Sequence, residues 1–307
     1  MRSAIGIDIG GTAIKLGLVA SDGRVLARRQ FPFDRALGFE ALADAIATAA
    51  KAVATGHAAV GVGISTPGYA DRRDGTLIDG TANVPALAGR SLPAALGSRL
   101  GLPAVIENDG TAATLAELRF GAGKAFRRFA LIAIGTGIGG GIAIDGRVVT
   151  GNAGEPPELG AMVLDAEGER NYSSLPGTFE HLAAADGFLA AHRRLSPADP
   201  APSVAALFQR DDAAAAAAID ATARRIAQAL GSMINLLNLE ACLLGGGVSE
   251  AGASLLDAVG RHLPDFTWPL LLARCRLLPA ALGNDAGLVG AAALALDQAR
   301  STEPGQA

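Results

Sequence analysis

Residues 4–19 read Ala4-Ile5-Gly6-Ile7-Asp8-Ile9-Gly10-Gly11-Thr12-Ala13-Ile14-Lys15-Leu16-Gly17-Leu18-Val19. One carboxylate, Asp8, stands near the end of the first apolar run. Gly10, Gly11 and Thr12 interrupt the pattern, and Lys15 sits in the second run. Short apolar runs bounded by glycine are strands, and a gap this short joins them as a hairpin. Glycine backbone in the turn, with the Thr12 hydroxyl, suits a phosphate group. Asp8 suits Mg²⁺ held through water, because that ion keeps most of its own waters. The same residues also read as an ordinary tight hairpin, and there is no Walker sequence. The stretch therefore decides a strand–turn–strand element and leaves its chemistry to the rest of the chain.

Working outward, Val25 to Phe33 reads as a third strand, and Leu42, Ile46, Ala49 and Val53 mark a helix over 38–55. Residues 59–64 form a buried-strand pattern that runs into Ser65-Thr66-Pro67-Gly68, the kind of carboxyl-end turn where open α/β sheets bind ligands. Residues 69–90 show no period and read as a long irregular loop carrying Asn83. A short helix over 91–100 precedes a strand ending in Glu107-Asn108-Asp109, with a helix at 110–120. Residues 129–134 are another strand, followed by Gly135-Thr136-Gly137-Ile138-Gly139-Gly140-Gly141 and a further strand over 142–149. This repeats the grammar of the opening. Gly135, Gly137 and Gly140 fit Gly-x-Gly-x-x-Gly, but a strand rather than a helix follows, so the dinucleotide reading fails. Residues 151–187 read as irregular. Later come an Ala-rich helix over 212–238, a strand at 241–244 ended by Gly245-Gly246-Gly247, and a helix over 250–262. A final helix is capped by Asn284 and Asp285, and the tail is frayed.

Half of the 307 residues are hydrophobic and 18% are charged, enough for two ordinary domains. The 40 glycines follow no collagen period and serve turns and close approaches. A net charge of −4 argues against nucleic acid and acidic membrane surfaces as partners. Cys242 and Cys275 build neither a disulfide framework nor a cysteine zinc site, and read as buried thiols of a reducing compartment. Asp8 within the first apolar run excludes a secretory signal. The charge-free stretches 52–70 and 129–144 are broken by Gly and Thr and are not membrane spans. The expected location is the cytoplasm.

Four motifs in order carry a family resemblance: Asp8-Ile9-Gly10-Gly11-Thr12, Glu107-Asn108-Asp109, Gly135-Thr136-Gly137-Ile138-Gly139, and Leu244-Gly245-Gly246-Gly247-Val248. The chain resembles the ROK family of bacterial sugar kinases, within the actin-like ATPase and sugar-kinase superfamily. The resemblance implies an α/β fold of two actin-like, ribonuclease H-like domains with an active-site cleft between them. One domain would be 1–119 with 288–307, the final helix packing back on it, and the other 120–287. It implies ATP and Mg²⁺ as cofactors and a homodimer. Asp8, Gly10, Gly11, Thr12, Gly135, Thr136, Gly137, Gly139, Gly246 and Gly247 would bind the nucleotide, with Asp8 on the Mg²⁺ shell. Asp109 would be the general base that takes a proton from a sugar hydroxyl. Its other reading is a carboxylate capping the next helix. Asn83, Asn108, Gly68, Glu158 and Glu180 would bind the sugar, the two amides because they donate and accept at once. Lys15 reads as a solvated strand residue outside the core site.

The chain departs from the family pattern where zinc is usually held. Gly151 to Ala161 aligns with the motif ending Glu-x-Gly-His, keeping Glu158 but placing Ala161 at the histidine. The following cysteine motif retains Gly177 and Glu180 and has Asn171, Ser173 and Thr178 at its three cysteines. A tetrahedral zinc site needs those ligands, so no zinc site is expected. His181 reads as a surface or packing residue, and Pro176, Tyr172 and Phe179 are left to order the segment. The leading expectation is a glucokinase-like phosphorylation of a hexose by ATP. Fructose or an N-acylated hexosamine as substrate, and a non-catalytic sugar-binding protein, are the alternatives. A family repressor is disfavoured, since seven residues before Asp8 leave no room for a helix-turn-helix.

Overall fold

The computed structural model describes residues 2–170 and 173–301; Met1, Asn171, Tyr172 and residues 302–307, with the expectations that fall on them, lie outside the described residues. Its contacts divide the chain into two units. The first comprises Met1–Gly121, Arg147–Pro157 and Asp285–Ala307, and the second Ala122–Gly146 and Glu158–Asn284. Residues 147–157 thus belong with the first unit, whereas the sequence reading put them in the second.

The first unit opens with the hairpin of β1 (Ser3–Ile9) and β2 (Ala13–Ala20), then β3 (Val25–Pro32), α1 (Phe39–Val53) and β4 (Ala59–Thr66). The stretch read as an irregular loop holds a small antiparallel pair, β5 (Tyr69–Ala70) and β6 (Leu77–Asp79), followed by two 3-10 turns. Residues distant in sequence order it: Thr76 bridges Ser91 and Leu77 bridges Ala88. Next come α2 (Leu92–Leu100), β7 (Ala104–Asn108) and α3 (Asp109–Arg119). The sheet order is β3-β2-β1-β4-β7, antiparallel through β1 and parallel beyond it. β1 is buried on both faces, so it reads as a continuous apolar run; β3 lies at the edge and alternates. Ile7, Ile9, Ile14 and Leu16 have no exposed surface, each contributing roughly 1.5–3 kcal/mol of burial.

The second unit begins with β8 (Arg128–Ile134) and β9 (Ile138–Ile144). Its turn is 135–137 alone. Gly139, Gly140 and Gly141 are strand residues, so the second strand starts four positions before the expected 142. A short strand β10 (Arg147–Val148) belongs to the first unit. Residues 179–195, expected to be irregular as far as 187, are helical: α4 (Phe179–Ala183) and α5 (Ala185–Leu195). Then follow α6 (Val204–Phe208), α7 (Ala213–Leu237), β11 (Ala241–Gly245), α8 (Ala253–Phe266), α9 (Pro269–Leu272) and β12 (Arg276–Pro279). Asp212 caps α7 through the Ala215 N–H, and Asn238, at φ 51°, ends it. Within this unit the strands lie β9-β8-β11-β12, with β9 antiparallel and the rest parallel. Each unit therefore contains an antiparallel hairpin extended by two parallel strands, the structural form of the sequence repeat. Cys242 is buried in β11, while Cys275 is only half-buried, a correction to the expectation for both.

The last helix, α10 (Ala286–Ser301), returns to the first unit and packs on β1, β4 and α3. Glycines make the approach possible. A Cβ on Gly6 would lie 2.1 Å from Leu288 O, one on Gly63 1.6 Å from Ala291 O, and one on Gly290 1.8 Å from Ala112 O. Asp285, expected to cap this helix, pairs with Arg28 at 2.6 Å. Among the described residues, no helix is long and apolar enough to cross a membrane.

Candidate active site

In the first unit the candidate residues gather where β1, β4 and β7 reach their carboxyl ends, the ligand-binding edge of a parallel sheet. Strand register puts Asp8 beside Lys15 on one side and Ser65 on the other. Lys15 Nζ is 3.5 Å from Asp8 Oδ2, and Ser65 Oγ donates to Asp8 Oδ1 at 3.1 Å. Burial raises the Asp8 carboxyl above the ordinary aspartate value, while the Lys15 charge and the Ser65 hydroxyl pull it back. Gly287 keeps space open next to this carboxylate, since a Cβ there would stand 2.5 Å from Oδ1. A hard oxygen donor with room beside it fits a water-shelled Mg²⁺. Lys15, set aside in the sequence, is thus tied into the site; its alternation with Ile14 and Leu16 in β2 was the available signal.

The turn 10–12 closes on itself, Gly10 N–H donating to Ala13 O at 3.0 Å. That N–H is already bonded within the turn. Neither Gly10 nor Gly11 has a positive φ. Gly11 faces the Asn83 side chain and Arg35, whose Nη2 lies 3.4 Å from Gly11 O. Arg35 was not read from the sequence, because an exposed loop arginine carries no motif.

Asn108 and Asp109 straddle the join of β7 and α3. Asn108 is the N-cap: its Oδ1 accepts from Gly110 N at 2.9 Å and Thr111 N at 3.2 Å. Its Nδ2 donates to Gly68 O at 3.3 Å. Capping therefore falls to Asn108, and Asp109 is the first helical residue, exposed, its Oδ1 accepting from Gly110 N at 2.8 Å. Gly68, at φ 95°, has Asp79 O within 2.4 Å of where a Cβ would be, so only glycine fits. Behind this join the Glu107 carboxyl accepts from Asn108 N at 2.9 Å. Burial raises its pKa, against the Asn108 N–H and the Arg72 charge. Arg72 itself donates to Thr150 Oγ1 at 2.7 Å. The hydroxyls of Thr66 and Thr111 are buried at the same edge with no partner.

In the second unit, Gly135 N–H donates to Gly137 O at 2.8 Å, and Gly135 O accepts from Ala185 N at 2.9 Å. Thr136 and Gly139 are exposed. Gly246, at φ 80°, lies against the end of β8, with Ile134 O 2.4 Å from its Cβ position; Gly247 has open space. The hairpin and the 246–247 turn thus share the carboxyl edge of β8 and β11. Glu158 is exposed at the start of a 3-10 turn over Leu159–Ala161. Glu180, in the first turn of α4, accepts from Ile138 N through Oε2 at 2.8 Å.

The segment around residues 162–181 is held by protein groups. Leu164 N and Asp165 N both donate to Gly177 O, and Gly177 N donates to Glu169 O. From α7, Gln228 Nε2 donates to Leu164 O at 3.1 Å, and Arg225 stands 3.9 Å from Asp165. His181 lies 3.6 Å from Glu169, and Phe179 is fully buried. Among the described residues no group of three or more His, Cys, Asp or Glu could hold a metal ion.

Two α/β units of the actin-like ATPase fold, each with a glycine hairpin beside parallel strand ends, define the class. The ROK family model matches residues 4–298, and the chain belongs to that family. It is 32% identical to a glucokinase of Streptomyces coelicolor over 328 aligned positions, covering 99% of both proteins. It is 31% identical to an N-acetyl-D-glucosamine kinase of Escherichia coli O157:H7, covering 95% of this chain and 98% of that one. A ROK glucokinase from Streptomyces griseus, solved with glucose and AMPPNP, superposes with a TM-score of 0.80 at 30% identity, covering 96% and 99% of the two chains.

Proposed function

We propose that this chain, a sugar kinase of the ROK family, transfers the terminal phosphoryl group of ATP to a hydroxyl of glucose. One observation carries the reading: Asn108 caps α3 and so leaves the Asp109 carboxylate at the helix N-terminus, exposed beside the carboxyl edge of the sheet. Asp109 orients the attacking hydroxyl and takes its proton as the new O–P bond forms, an assistance worth about 10²–10⁴ in rate. Asn83, Asn108, Gly68, Glu158 and Glu180 are the residues that would bind sugar hydroxyls. The nucleotide is taken by the 10–12 and 135–139 segments and by Gly246 and Gly247. Asp8 is the residue that would hold Mg²⁺ through water, and the ion would neutralise phosphate charge. The enzyme acts in the cytoplasm as a homodimer.

A coupled ADP-release assay over hexoses and hexosamines tests this. Turnover with glucose that Asp109→Asn lowers by about 10²–10⁴, with nucleotide affinity kept, is the expected result. Absence of turnover with every sugar overturns it and leaves a non-catalytic sugar-binding protein. A second reading is an N-acylated hexosamine as substrate. It is favoured by the full-length likeness to an N-acetyl-D-glucosamine kinase and by Ala161, a smaller residue where the family histidine stands.

A further inference from the structure

The side chain read as a sugar carboxylate is bonded to the nucleotide hairpin. Glu180 Oε2 takes the N–H of Ile138, the first residue after the 135–137 turn, at 2.8 Å. Five residues further on, the N–H of Ala185 holds Gly135 O, at the other foot of the turn. Two glycines keep this approach open. A Cβ on Gly137 would sit 2.6 Å from Glu180 Oε2, and one on Gly160 would sit 2.6 Å from Ile138 O and 3.2 Å from the Glu180 Cβ. Gly137 is thus required by the carboxylate, independently of any phosphate.

We propose that Glu180 is a positioning residue for the nucleotide: its Oε2 fixes the Gly135–Gly137 hairpin through the Ile138 N–H. The proposal rests on the kinase reading. A hydrogen bond to an ionised group is stronger than a neutral one, and it is made here at the single N–H where the turn joins β9. In that reading the same carboxylate also binds the sugar, so one side chain serves both ligands. Sugar that orders Glu180 orders the hairpin, and the coupling is reciprocal: whatever factor sugar adds to nucleotide affinity, nucleotide adds to sugar affinity.

The test is calorimetric binding of Mg-AMPPNP to the full chain without sugar, in wild type, Glu180→Gln and Glu180→Met, with hydrogen exchange read at the Ile138 amide. Expected are a loss of about tenfold in affinity for E180M, a smaller loss for E180Q, whose amide oxygen still accepts the N–H, and faster Ile138 exchange in both. Should E180M fail to melt cooperatively, exchange in the isosteric E180Q decides. Unchanged nucleotide affinity and unchanged Ile138 exchange, with only the sugar KM raised, would overturn the proposal and leave Glu180 a sugar ligand alone. If wild type binds Mg-AMPPNP and E180M weakens it, yet no sugar is phosphorylated, the kinase reading fails while this inference stands.

Discussion

Ser65 and Asp8 sit opposite each other on neighbouring parallel strands, and the Ser65 hydroxyl donates to Asp8 Oδ1 at 3.1 Å. The bond opposes the burial that raises the Asp8 pKa. A raised folded-state value means Asp8 adds stability only while protonated, below its unfolded value, and loses it as pH rises through the folded value. At pH 7 the buried charge is a cost. Asp8→Asn is therefore expected to melt at a higher temperature than wild type at pH 7 and at the same temperature near pH 3, while losing activity. Ser65→Ala should move the acid limb of the kcat/KM profile to higher pH. Paired melting curves and pH–rate profiles check both.

Asn108 has two separable duties, and substitution can divide them. Asn108→Ala removes the cap of α3 and is expected to cost about 0.5–2 kcal/mol. Asn108→Asp keeps an oxygen for the Gly110 and Thr111 N–H groups but has no Nδ2 for Gly68 or a sugar. Its melting temperature should stay near wild type while its sugar KM rises. Equal destabilisation by both substitutions would count against the cap.

The seating of α10 predicts opposite outcomes for two glycines. Gly63→Ala drives a methyl group into the Ala291 carbonyl, 1.6 Å away, and should cost about 3 kcal/mol or more. Gly260→Ala, within α8 and with nothing in reach of a Cβ, should gain about 0.5–1 kcal/mol. Urea denaturation of the two variants measures both.

Elemental analysis of the purified protein is expected to find no stoichiometric zinc, and chelation should leave the melting temperature unchanged. Gln228 does part of the ordering instead, through Leu164 O. Gln228→Ala should raise the sugar KM several-fold with little change in nucleotide affinity. One tightly bound zinc per chain would contradict this account.

The two hairpins, the helix after Asp109 and the glycine turn after β11 were legible because each is encoded locally: apolar runs, a glycine turn, a helical period. Elements built by distant partners were not. The β5–β6 pair depends on bridges to Ser91 and Ala88; the turns read at Asp74-Gly75 and Asp79-Gly80 mark its bends but not its strands. In α4 and α5 the apolar anchors Phe179, Ala183 and Phe188 are few and follow a Pro-Gly pair, which hides the period. At the site, Asp8 and Asp109 could be picked out by type and position. The ties that orient the site could not: Ser65 to Asp8 spans 57 residues and Glu180 to Ile138 spans 42. Register and packing, which single residues do not reveal, make those pairs.

The return of α10 to the sheet it covers also sets an order of assembly. On the ribosome, every residue of the second unit emerges before the helix that seals β1 and β4. Domains ordinarily mature from the N-terminus as synthesis proceeds; here the first-made strands must wait, one face bare, for the last helix. Through that interval the apolar face of β1 and β4 is open to contact with other chains.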